Sequence, residues 1–253
     1  MNVKQEINNL KQFSNLNELN VVCAGLYNHG KSSLLNMLVD DFNEMTFKVA
    51  DKRETSSIKE IKKDNLLFVD TPGLDALNKD DDVVSKAIKY RDVVMFVHNV
   101  ATGELVKNEI EFIKNLKKEY GENVIIVLSR IDQVSEEILY EIENKIKEQL
   151  KGIFYEVKIY KVSVKRYKKG KFENKQLLVQ KSGVEKLKND LFSLNTNVRK
   201  NRIKQLKSQI EIYVNKEKEK ITQQISKIKK DKEELKADIE ADIKKIVNNI
   251  KSI

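Results

Sequence analysis

The sequence is poor in residues that staple, kink or interrupt a chain. Its 253 residues hold one cysteine, one proline, eight glycines and no tryptophan. A lone cysteine excludes a disulfide framework and fits a reducing compartment. Cys23 lies in the apolar run NVVCAG (20–25), where it reads as a small buried side chain. No apolar stretch approaches the ~20 residues that crossing a bilayer requires. The N-terminus, MNVKQEINNLKQF, is too polar for a signal peptide. The expected location is therefore the cytoplasm, with peripheral membrane contact as the furthest departure from it. One proline among 34% charged residues argues against a loop-rich fold and for long exposed helices. The 40% of hydrophobic residues suffices for a core.

Charge is present but unevenly placed. From residue 196 onward there are 16 Lys/Arg against 9 Asp/Glu, a surplus of +7. Of the overall +9, only +2 is left for the first 195 residues. All eight glycines and the proline precede residue 184. Two compositional regimes follow, and with them three expected segments: an N-terminal helix over 1–18, a larger domain over 19–195 and a basic helical tail over 196–253.

The first regime alternates short β-branched runs with amphipathic stretches. Leu19–Cys23, Leu66–Val69, Val93–Val97, Val124–Leu128 and a looser Tyr155–Val162 read as strands. Residues 104–120 and 135–150 read as helices; in the second, Ile138, Ile142 and Ile146 recur every fourth residue behind Ser135 and two glutamates. Alternation of this kind predicts an α/β fold, a mostly parallel sheet with helices on both faces. The stretch TSSIKEIKKDNLLFVD (55–70) reads instead as two strands about a KKDN turn, hence one antiparallel edge strand. In the second regime Ile221, Ile225, Ile228, Leu235 and Ile239 mark a heptad seam. Ile239, Ile243, Ile246, Ile250 and Ile253 continue it after a four-residue stutter. The seam is narrow, and it suits a helical hairpin or an intermolecular coiled coil equally.

The chemistry gathers around GLYNHGKS (25–32), which fits GxxxxGK[ST] between a predicted strand and a predicted helix. Glycines let such a loop turn its N–H groups inward, and the helix N-terminus adds partial positive charge. Asn28, His29, Gly30, Lys31, Ser32 and Ser33 are the candidate phosphate-binding residues. Lys31 is expected to neutralise β- and γ-phosphate oxygens and Ser32 to ligate Mg2+. Asp70-Thr71-Pro72-Gly73 ends the next buried strand. A carboxylate there reaches a Mg2+ ion, and the Gly73 N–H senses a γ-phosphate. A Pro-Gly turn would form there in any case.

At these residues the chain resembles the P-loop GTPases of the translation-factor-related class, Era-like and dynamin-like members in particular. The resemblance spans about 19–194 and is strongest at GLYNHGKSSLLNML and FVDTPGLD. It implies GTP and GDP as ligands, Mg2+ held by Ser32, Asp70 and a switch threonine, and hydrolysis of GTP. Thr55 resembles that threonine, with Ser56, Ser57 and Thr46 as alternatives. Ser129-Arg130-Ile131-Asp132 resembles a degenerate base-reading motif, Asp132 accepting from guanine and Arg130 replacing a lysine. Ser163-Val164-Lys165 resembles the loop that covers the base, though it also begins the basic run KRYKKGK. Leu74 stands where some relatives carry a water-orienting glutamine. Asn28 occupies the position that binds K+ in potassium-stimulated relatives; it also suits the loop's turn by itself. Lys31, Asn28, Thr55 and Gly73 are thus the catalytic candidates, with turnover slow until a partner or a second G domain arrives. His29 is expected to point outward. His98, ending VVMFVH, suits packing or a switch contact.

Two functional classes remain open at this stage. One is a GTP-hydrolysing switch, dynamin-like or Era-like, coupled by its tail to homodimerisation, a membrane or a ribosome. The other is a binding module with a regulatory or vestigial nucleotide, whose basic tail meets RNA or anionic lipid. The tail's single aromatic, Tyr213, and its lack of glycine argue against base stacking and against a KH-type loop. No DNA partner is expected.

Overall fold

The computed structural model describes residues 3–47, 59–71, 88–194 and 196–251. Six strands are present among them: β1 (Leu19–Ala24), β2 (Lys59–Lys63), β3 (Leu66–Asp70), β4 (Val93–Asn99), β5 (Val124–Ser129) and β6 (Lys158–Lys161). They form one sheet in the order β2-β3-β1-β4-β5-β6. Every pairing is parallel except β2 with β3. The antiparallel edge expected from TSSIKEIKKDNLLFVD is therefore present. Its turn carries Asp64 at φ 53°, a left-handed conformation that Asp tolerates.

Burial explains why these runs are strands. Every residue of β1, β4 and β5 is buried, which is the condition of a strand covered on both faces. Successive residues feed opposite cores. Val21, Cys23, Phe68, Met95 and Val127 face one of them. Val22, Ala24, Val69, Phe96 and Ile126 face the other. Cys23 is wholly buried, and burial pushes its thiol well above the usual range.

The first core is closed by α2 (Lys31–Leu38), α5 (Val164–Phe172), α6 (Gln176–Lys181) and α7 (Val184–Phe192), through Leu34, Leu35, Tyr167, Val179 and Leu187. The second is closed by α3 (Lys107–Tyr120) and α4 (Glu136–Gln149), through Ile113, Leu116, Ile142 and Ile146. The result is the three-layer α/β arrangement. In α4 the Ser135 hydroxyl accepts from the Ile138 N–H at 3.3 Å, capping the helix as its sequence suggests. The expected isoleucine stripe is only partly buried, however. Ile138 is 47% exposed, because the helix meets the sheet one turn later, at Ile142.

Two compact units are distinguished, Ile7–Gln205 and Met1–Glu6 with Leu206–Ile253. In the first, α1 (Val3–Ser14) buries Leu10 and Phe13. There too, the opening turns of α8 (Thr196–Lys251) are held by two arginines. Arg199 donates to the Asp92 carboxylate at 3.0 Å and to the Leu16 and Glu18 carbonyls, and its guanidinium lies over the Phe13 ring. Arg202 is fully buried. It donates to the Glu119, Lys89 and Arg91 carbonyls and to the Glu119 carboxylate, and it stacks on Tyr120 at 3.8 Å.

α8 is continuous, so the hairpin alternative for the tail is not what forms. Its seam residues Ile221, Ile225, Ile228, Leu235, Ile239, Ile243 and Ile246 are all exposed. No helix among the described residues is long and apolar enough to cross a membrane.

Candidate functional site

The site lies at the carboxyl ends of β1, β3 and β5, where an open parallel sheet offers a crevice. The loop 25–30 leaves β1 and enters α2. Gly25, at φ 143°, passes so close to β4 that a Cβ there would lie 2.3 Å from the Val97 carbonyl oxygen. Only glycine fits this position. Gly30, at φ 88°, caps α2, and Asn28, at φ 58°, supplies a second left-handed turn. The turn-forming reading of Asn28 thus has a geometric basis. Lys31 is buried, and its Nζ donates to the Leu26 carbonyl at 2.8 Å, folding the ammonium back over the loop.

Ser32 and Asp70, drawn from α2 and the end of β3, meet directly: the Ser32 hydroxyl donates to Asp70 Oδ2 at 2.6 Å. Asp70 Oδ1 is buried and has no hydrogen-bond partner among the described residues. Burial raises this carboxyl above the usual carboxylate range, against the lowering effects of Ser32 and Lys31. A buried carboxylate oxygen without a donor, beside a serine hydroxyl, fits a hard cation such as Mg2+. Thr71 holds the strand end in place by donating to the Cys23 carbonyl at 2.7 Å.

A cavity of about 300 Å3 adjoins the loop, lined by Gly30, Ser33, Arg130, Asp132, Val164 and Lys165 among others. Its far wall is braced. Ser163 donates to Asp132 Oδ1 at 2.5 Å while accepting from the Arg166 N–H at 3.0 Å, so one hydroxyl caps α5 and fixes the carboxylate. Arg130, itself at φ 57°, donates to the Asn28 carbonyl at 2.8 Å. Ser129 donates to the His29 carbonyl at 2.7 Å and to the His98 carbonyl at 3.1 Å. The degenerate motif therefore clips the loop from behind with a serine and an arginine, leaving Asp132 to the cavity.

His29 departs from expectation. Its side chain turns inward and is buried, because His98 and Glu109 form a polar recess behind the loop. Desolvation lowers its ionisation to about 4, with the Glu109 charge opposing that effect. Thr55, Ser56, Ser57, Pro72, Gly73 and Leu74 lie outside the described residues. Thr46 is described, and its N–H donates to Asp41 at 2.5 Å. Sequence reasoning missed Glu44, Gln133 and Lys168, all of which line the cavity. Glu44 accepts from Lys168 at 2.9 Å and from Ser33 at 3.5 Å. Lys168 was open to detection, since it stands one turn beyond Val164 and Lys165 on the same helix face. Glu44 carried no local signal.

A glycine-turned loop between β1 and α2, a serine–aspartate pair beneath it and an aspartate-bearing cavity beside it define a P-loop nucleotide-binding protein. Residues 20–130 match the model of the family described as "50S ribosome-binding GTPase", and the fold of this part of the chain is that of a P-loop G domain. An uncharacterised protein of Acinetobacter baylyi is 36% identical over 178 residues, covering 68% of this chain and 41% of that protein. The GTPase Era of Ureaplasma urealyticum is 32% identical over 122 residues, covering 44% of this chain and 39% of its own length. The chain thus spans about two fifths of these curated relatives. In fold it is similar to the LeoA bacterial dynamin GTPase from ETEC, with a TM-score of 0.59 and 18% identity over 84% of this chain and 42% of that one. It is similar also to a member of an oligomerised bacterial dynamin pair, with a TM-score of 0.58 and 21% identity over 94% of this chain and 46% of that one.

Proposed function

We propose that this chain is a Mg2+-dependent switch that binds GTP and hydrolyses it slowly to GDP and phosphate until it self-associates or meets a partner. The meeting of Ser32 with Asp70, whose second oxygen is buried and unpartnered, carries this reading, because that pair fits the metal that accompanies a triphosphate. Ser32 and Asp70 would hold Mg2+, with Thr55 completing the shell, and the ion would neutralise charge developing on the phosphates. Lys31 binds the β- and γ-phosphate oxygens. The N–H groups of 28–33 orient them, and that of Gly73 senses the γ-phosphate. Asp132 accepts from the guanine edge while Arg130, Ser163, Val164 and Lys165 bound the base. Asn28 is assigned to a K+ ion at the phosphates, which would supply the charge an arginine finger brings elsewhere.

The tail is assigned the output. The exposed seam from Ile221 to Ile246 suits packing against a second copy, and the basic surplus suits an anionic membrane surface or a ribosome. A binding module with an idle nucleotide would instead show strongly salt-sensitive association that ignores GTP and GDP. We place the working location in the cytoplasm.

The deciding experiment measures nucleotide binding and hydrolysis with GTP and with ATP, in KCl and in NaCl. GTP turnover is expected to exceed ATP turnover and to rise in K+. Asn28→Ala is expected to remove the potassium effect while affinity holds; retained stimulation would move the ion elsewhere. Absence of any triphosphate binding at millimolar Mg2+ would defeat the whole reading.

A further inference from the structure

Three side chains that the nucleotide chemistry does not use meet behind the loop. His29 comes from the loop itself, His98 from the end of β4 and Glu109 from the first turn of α3. All three are buried, the Glu109 side chain completely.

Their hydrogen bonds fix which atoms face one another. His98 Nε2 lies 2.8 Å from the Gly103 carbonyl, which only accepts, so this nitrogen carries the hydrogen. The opposite nitrogen, Nδ1, lies 2.9 Å from Glu109 Oε1. His29 Nδ1 lies 3.5 Å from the same oxygen and takes the Asn99 N–H at 3.4 Å, which makes it an acceptor as well. Glu109 Oε2 is occupied by the Val106 N–H at 3.0 Å. Three lone-pair atoms therefore converge, all within 4.8 Å of one another. The two imidazole rings stand edge to face, 5.3 Å between centroids.

One shared proton satisfies His98 and Glu109, while the single lone pair of His29 Nδ1 is met only by the long 3.4 Å Asn99 N–H contact. A divalent ion in place of that proton and that contact would satisfy all three atoms at once. We propose that His29, His98 and Glu109 bind a transition-metal ion of the zinc class, which ties the P-loop to β4 and α3. Two imidazoles and one carboxylate are a donor set that zinc accepts. The outer atoms of His98 and Glu109 are each held by main-chain groups, the arrangement that orients metal ligands. The ion would hold the side chain of a residue whose carbonyl Ser129 already holds, so its removal should loosen the loop around Lys31. This site stands independently of the nucleotide reading.

The test uses the full chain, stripped with a chelator and re-equilibrated with Zn2+ or Co2+ in excess Mg2+. Mg2+ competes for the oxygen ligands Ser32 and Asp70, whereas imidazole nitrogen prefers the transition metals. Retention of about one ion per chain after gel filtration is expected, with a tenfold or greater loss of retained metal in His98→Gln and in Glu109→Gln. Only two histidines occur in the chain, so paramagnetically shifted imidazole N–H resonances in the Co2+ form report this site directly. That signal decides the matter even if a variant fails to fold. No retained ion in the wild-type chain, or retained ion without shifted imidazole signals, overturns the proposal; so does undiminished retention in folded Glu109→Gln.

Discussion

The two ends of the sheet are built on opposite plans. At the amino ends of β1 and β4 the strong polar groups are saturated within the chain. Asp92 accepts from the Asn20 N–H at 2.7 Å and from Arg199 at 3.0 Å, and Arg202 donates to three carbonyls and a carboxylate. At the carboxyl ends, Asp70 keeps one buried oxygen without a donor, and the cavity beside the loop is open. Left-handed residues gather there too, at Asn28, Gly30 and Arg130. Saturated polar groups confer stability, whereas unfilled ones mark the place where a ligand completes the structure. The difference implies that stability and nucleotide affinity are separable by mutation.

The largest effect should come from the saturated end. Arg202→Ala would leave three carbonyls and the Glu119 carboxylate without their donor. Each acceptor left without its donor costs ~1–3 kcal/mol, to be read in chemical denaturation, while affinity for GTP per folded molecule stays within about twofold. A matching loss of affinity would show the two ends to be coupled. Lys31→Ala should do the reverse. Removing the ammonium from the phosphate site should weaken GTP binding by at least ~100-fold, about 2.7 kcal/mol, with little change in the unfolding midpoint. Titration calorimetry on both variants checks the pair. Next in size is Asp132→Asn, which should reduce the preference for GTP over ATP by ~10-fold, about 1.4 kcal/mol; competition binding with the two nucleotides measures it.

The same contrast decides what was legible in the sequence. The strands could be read because a strand covered on both faces needs an unbroken apolar run, as VVMFV and VIIVL provide. The loop could be read because GxxxxGK[ST] between a strand and a helix is a local pattern, although the steric demand on Gly25 comes from Val97 in β4. The inward turn of His29 could not, since it is set by His98 and Glu109, which arrive from β4 and α3. Arg199 and Arg202 were hidden for a related reason. Their charges were counted with the basic tail, but their partners Asp92 and Glu119 lie far back in the chain, and the fold withdraws both arginines from solvent. Glu44 and Lys168 enter the cavity only once α5 is placed beside the loop. Periodicity placed α4 but misjudged Ile138, because the angle at which a helix meets a sheet is a tertiary property.

Asn20, at the saturated end, breaks its rule and gives the finest test. Asn20 is buried in β1, its main chain bound to Asp92 on both sides: its N–H donates to the carboxylate and its carbonyl accepts from the Asp92 N–H at 2.9 Å. Its side-chain amide, however, has neither donor nor acceptor partner among the described residues. An amide buried without partners costs ~1–3 kcal/mol, and valine suits a strand buried on both faces. The main-chain bonds to Asp92 do not depend on the side chain, so Asn20→Val should preserve them. If the amide is only a cost, the variant should be more stable by about 1 kcal/mol, with GTP affinity unchanged. A loss of stability would mean that the Asn20 amide is satisfied by a trapped water, and that even this end of the sheet is completed from outside the chain.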